Sequence, residues 1–95
     1  MTKRLPKAHS VFEDLGFTST EAENLRHRAV LMNAVIAELD ARGLTQAAAA
    51  KLLGITQPRI SDLMRGKLHL FSMDSLVVLL AALGLKVALR VRRAA

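Results

Sequence analysis

The stretch Leu44-Thr45-Gln46-Ala47-Ala48-Ala49-Ala50-Lys51-Leu52-Leu53-Gly54-Ile55-Thr56-Gln57-Pro58-Arg59-Ile60-Ser61-Asp62-Leu63-Met64-Arg65-Gly66-Lys67 decides the fold. Thr45 and Thr56 each precede a helical pattern and can accept hydrogen bonds from open amides of the first turn. Gly54 and Gly66 stand where those helices must stop, because glycine tolerates the left-handed conformation that closes a helix. The spacing predicts two short helices, about residues 46–53 and 57–65, joined by Leu53, Gly54, Ile55 and Thr56. That is the length of a helix-turn-helix. Ala50 is small where one helix must let the other approach, and Ala49, Leu53, Ile55, Ile60 and Leu63 can form one buried seam.

Before this stretch, Thr20 followed by Glu23 matches a capping box, and Ala22, Leu25, Ala29, Met32, Ile36 and Leu39 recur at helical spacing. One long helix over about 20–42 is expected, closed by Gly43. After the stretch, Ser72 can cap a helix over about 73–83 that Gly84 ends. The period then changes. Leu85, Val87, Leu89 and Val91 alternate with Lys86, Ala88, Arg90 and Arg92, the two-residue repeat of a half-buried strand. Such a strand needs a partner for its backbone: the segment from Val11 to Phe17, the same strand of another protomer, or another chain. Self-pairing, which would give a symmetric dimer, ranks first. The expected architecture is therefore mainly α, with four to five helices and a short C-terminal β-strand. Residues 1–19 form an arm and entry, 20–84 the helical domain, and 85–95 the strand and basic tail.

Composition bounds the rest. With 95 residues, 52% apolar, the chain can bury one small core, and a second would need roughly another hundred residues. It has no cysteine, so thiol catalysis, disulfides and thiolate zinc sites are excluded. His9, His27 and His69 show no metal-ligand spacing, and no phosphate-cradling glycine loop or nucleophile elbow occurs. We read no enzyme, no cofactor and no metal. Met32, Met64 and Met73 read as packing residues. Lys3, Arg4, Pro6 and Lys7 lack the apolar run of a secretory signal, and Leu76–Leu83 falls short of the about 18–20 residues that span a bilayer. A cytoplasmic location is expected, without a membrane partner.

The net charge of +6 is uneven: residues 11–23 carry −4, whereas 1–10, 43–67 and 68–95 each carry +3. Such a balance favours a polyanionic partner through counterion release. Only Phe12, Phe17 and Phe71 are aromatic, too few for the stacking that single-stranded nucleic acid invites. Double-stranded DNA suits the composition best.

Leu44-Thr45-Gln46, the alanine-rich helix, Leu53-Gly54-Ile55-Thr56-Gln57 and Leu63 through Arg65-Gly66-Lys67 resemble the Cro/CI-type, lambda-repressor-like or XRE, DNA-binding domains over about residues 44–85. Asp14-Leu15-Gly16-Phe17 and Ala82-Leu83-Gly84-Leu85-Lys86-Val87 look like the small HigA-type antitoxins of that group. The resemblance implies a repressor whose recognition helix enters the major groove, an operator with two half-sites, and a cognate toxin partner, the alternatives being a stand-alone phage-type repressor or a protein-interaction module that binds DNA weakly. It places Gln57 against a base, with Pro58, Ser61 and Asp62 as further base-facing positions. Pro58 cannot donate but can pack on a thymine methyl, and Asp62 either accepts from cytosine N4 or orients Arg59 or Arg65. Gln46, Arg59, Arg65 and Lys67 are read as phosphate contacts. Arg90, Arg92 and Arg93 have three open uses: flanking phosphates, an acidic partner protein, or keeping an edge strand soluble.

Overall fold

Four hydroxyl side chains set the helix starts. Thr18, Thr45, Thr56 and Ser72 all have extended backbone and accept a hydrogen bond from the amide three residues on, at Glu21, Ala48, Arg59 and Ser75. The computed structural model describes residues 11–94, so the expected basic arm at Lys3, Arg4 and Lys7 lies outside the described residues, as does His9. The order is α1 (Val11–Asp14), α2 (Ser19–Arg42), α3 (Gln46–Leu53), α4 (Gln57–Met64), a 3₁₀ turn (Leu68–Leu70) and α5 (Met73–Ala82). The mainly helical architecture folds as expected, with five α-helices where four to five were expected.

The start of α2 differs from expectation. Its capping box is Thr18 with Glu21, not Thr20 with Glu23: Glu21 Oε1 accepts from the Thr18 amide at 2.9 Å while Thr18 Oγ1 accepts from the Glu21 amide at 3.1 Å. The sequence offers the same four-residue pattern twice, two residues apart. The earlier choice gives the helix more residues, and Glu23 turns instead to His27 and Arg26 on the next turn.

α2 lies along α5, and α3 packs on α4. Between them sits one core: Met32, Val35 and Leu39 from α2, Ala49, Ala50 and Leu53 from α3, Ile60 and Leu63 from α4, Phe71, and Leu76, Leu79, Leu80 and Leu83 from α5 and its end. Val35, Ile60, Leu63 and Leu76 have no exposed surface, so truncating any of them would leave a cavity at about 2–5 kcal/mol.

Among the described residues the expected C-terminal strand finds no partner. No strand occurs among the described residues, and 85–94 run without regular structure. The alternation still has a physical expression in its first half, where Leu85 and Val87 pack against the core. Beyond them Leu89 is 86% and Val91 94% exposed. A ladder needs a second strand, and the candidate within the chain is used otherwise, since Val11–Asp14 is helical.

Candidate nucleic-acid interface

α3 and α4 meet through small residues. Ala49 and Ala50 face the partner helix without bulk, so Leu53, Ile60 and Leu63 close the seam and are buried with them. Gly54 turns the chain between the helices at φ 70°, ψ 30°. The Ile55 amide then donates to the Ala50 carbonyl at 3.0 Å, tying the turn back to α3 while the Ile55 side chain packs on the core. α4 is thereby fixed to α3 by packing and by backbone, with its outer face left over.

That face carries the residues expected to read bases. Gln57 and Pro58 are exposed, and Ser61 and Asp62, one turn on, are half-buried. No hydrogen bond within the described residues holds the Gln57 side chain. The backbone there offers little: Pro58 has no N–H, the Arg59 amide donates to Thr56 Oγ1 at 3.3 Å, and the Ile60 amide donates to the Thr56 carbonyl at 3.0 Å. Only the Gln57 amide stays open in the first turn, so α4 presents side chains more than backbone donors on its outer face. At the start of α3 the amides of Gln46 and Ala47 stay open, because Thr45 engages those of Ala48 and Ala49. With the exposed Gln46 side chain they form a donor group suited to an anion.

The charged residues divide. Arg65 is exposed. Lys67 Nζ lies 3.4 Å from Asp62 Oδ1, and the Lys67 amide donates to the Asp62 carbonyl at 3.1 Å. Asp62 therefore orients Lys67, where Arg59 or Arg65 was expected, and this pairing offsets the carboxylate's charge near the end of α4. Arg59 is half-buried and engaged within the chain. Its Nη1 donates to the Leu70 carbonyl at 2.7 Å, and its guanidinium lies 4.0 Å from the centre of the Phe71 ring. From the other side Arg28, which sequence reasoning did not single out, donates from Nη1 to the carbonyls of Leu68 and Phe71, both at 3.3 Å. These partners lie 40 and 43 residues from Arg28, beyond any local pattern.

Leu85, Val87, Leu89 and Val91 follow the end of α5, outside the two-helix unit. Among the described residues no three His, Asp or Glu side chains come together as metal ligands, and no helix is long and apolar enough to cross a membrane.

A family model described as a helix-turn-helix domain matches residues 11–92. No curated protein matches the chain. Among solved structures, one described as an XRE family transcriptional regulator is similar over 78% of this chain and 83% of its own, at 40% identity and a TM-score of 0.73. With the two-helix seam, the glycine turn and the exposed α4 face in place, these likenesses put the chain in the XRE-type helix-turn-helix family.

Proposed function

We propose that this chain is a sequence-specific regulator of transcription that binds double-stranded DNA as a homodimer, placing α4 of each protomer in successive major grooves. The observation that carries the reading is the α4 outer face: Gln57 and Pro58 are exposed at the start of a helix whose opposite side is locked into the core. The similar solved structure, described as a transcriptional regulator, supports it. In this reading Gln57 meets a base, Pro58 packs on a thymine methyl, and Ser61 and Asp62 tune preference at neighbouring positions. Gln46, Arg65 and Lys67 hold the backbone and set register.

The second copy comes through residues 85–91. Leu85 and Val87 already lie on the core, while Leu89 and Val91 reach past it with nothing beside them. An antiparallel pairing of two such segments would give each backbone its ladder and lay Leu89 and Val91 beside Val87 and Leu85 of the other protomer. Two recognition helices about 34 Å apart would then match half-sites one DNA turn apart.

The finer reading is an antitoxin in the cytoplasm that represses its own operon and binds a cognate toxin. It is supported by the entry Asp14-Leu15-Gly16-Phe17 and by the exposed, basic C-terminal segment, which offers an edge to a partner chain. The chain acts by occupancy, without catalysis or a cofactor.

The test compares variants on the preferred DNA and on random DNA. Gln57→Ala should cost about 1–3 kcal/mol on the preferred site and little on random DNA, whereas Arg65→Ala or Lys67→Ala should weaken both and lower the salt dependence. Equal losses on both DNAs for Gln57→Ala would remove the base-reading role.

A further inference from the structure

We propose that Arg59 is a positioning residue, which with Arg28 and Phe71 clamps the segment following α4 so that Arg65 and Lys67 are presented to DNA at a fixed place. Its position on α4 suggests a phosphate contact, but its guanidinium is engaged by the chain itself. Its Nη1 donates to the Leu70 carbonyl at 2.7 Å while its Cζ lies over the Phe71 ring, 4.0 Å from the centroid. Phe71 is itself buried, so the ring cannot follow the arginine outward.

The clamp meets a specific need. The 3₁₀ turn Leu68–Leu70 is short: the Leu68 carbonyl accepts from the Phe71 amide, but those of Leu70 and Phe71 have no backbone donor among the described residues. Arg28 takes those of Leu68 and Phe71, and Arg59 takes that of Leu70. The Leu70 and Phe71 amides donate back to the Lys67 and Leu68 carbonyls, both at 3.1 Å. Two helices thus hold one turn by three carbonyls and a ring face, and the turn carries Lys67 at its start, directly after Arg65 and Gly66. Lysine could not replace Arg59, because one ammonium cannot both stack flat on the ring and donate along its edge.

This inference rests on the DNA-binding reading for its affinity readout, and not for its second readout. Arg59→Lys, Arg59→Ala and Phe71→Leu are compared in the full chain, by DNA binding across a salt series and by amide hydrogen exchange without DNA. Arg59→Lys keeps the charge. A clamp nevertheless predicts that it loses about tenfold in affinity, as Arg59→Ala does, and that its salt slope falls by about one as Arg65 and Lys67 lose register. Phe71→Leu should lose a similar amount, with no further loss when combined with Arg59→Ala. In the free protein the Leu70 and Phe71 amides should exchange faster in both Arg59 variants while core amides such as those of Leu39 and Leu80 do not change, which separates a local clamp from general destabilisation. Arg59→Lys binding like the unaltered protein would overturn the proposal and return Arg59 to the phosphate contacts. Unchanged exchange at Leu70 and Phe71 would overturn it as well, whether or not the protein prefers any DNA sequence.

Discussion

Replacing Gly54 by alanine isolates the cost of the turn that orients α4. Gly54 sits at φ 70°, ψ 30°, the left-handed region, which costs a non-glycine residue about 1–2 kcal/mol. A methyl group built there meets nothing within 4 Å, so no steric term adds to the conformational one. Alanine also restricts the unfolded chain, which offsets about 0.4–1 kcal/mol. The net expected loss is about 1 kcal/mol, or a fall in Tm of about 4–8 °C for a domain of this size. Gly54→Asn should lose less, because asparagine enters this region more readily. Urea and thermal unfolding of the three proteins measure both effects, and DNA affinity should be unchanged at temperatures where all are folded. A loss above about 3 kcal/mol, beyond what αL strain alone supplies, would refute the reasoning, since it would mean that the backbone abandons this turn or that a close contact is present. A gain in stability would refute it equally.

Three further outcomes follow from particular contacts. Thr56→Ala removes the hydroxyl that accepts from the Arg59 amide and should destabilise by about 0.5–2 kcal/mol in urea unfolding; an unchanged midpoint would contradict the cap. Leu89→Lys with Val91→Lys should turn a dimer into a monomer in sedimentation while leaving Tm at high dilution unaltered, because both side chains are exposed in the single chain; a persisting dimer would rule out this segment as the interface. Hydrogen bonds from His27 and then Arg26 hold the Glu23 carboxyl below its usual range. Its contribution is present above the unfolded carboxylate value of about 4.3 and is lost as pH falls through the lower folded value. The group is fully exposed, so the Tm gap between the native chain and Glu23→Gln should be small at neutral pH, shrink in salt and close in acid. A gap that widens in acid would contradict the sign.

What was legible in the sequence is what local chemistry determines. Thr45, Thr56 and Ser72 as caps, Gly43 and Gly54 as stops, and the seam of Ala49, Leu53, Ile60 and Leu63 are all fixed by neighbours within a turn or two, and the structure places each as read. The start of α2 was ambiguous because Thr18-x-x-Glu21 and Thr20-x-x-Glu23 are the same signal, and the structure forms the first. Residues 85–91 show no strand in the single chain for a related reason: alternation reports which side chains want cover, but a ladder depends on a partner the single chain does not hold. On the candidate interface, Gln57 and Pro58 could be placed from helical spacing alone. Arg59 could not. Its engagement depends on Phe71, twelve positions on and across a turn, and on a ring orientation that no periodicity encodes.

The most direct test of the central claim is fluorescence-anisotropy binding of the chain to the DNA upstream of its own gene and to a scrambled duplex, each across a salt series. The account predicts a preference of about 10³-fold or more for the upstream DNA, shared by two half-sites one turn apart and persisting as salt weakens both complexes. Weak, equal and steeply salt-dependent binding to both duplexes would contradict it, leaving a basic surface without sequence recognition and a C-terminal segment whose partner is another protein.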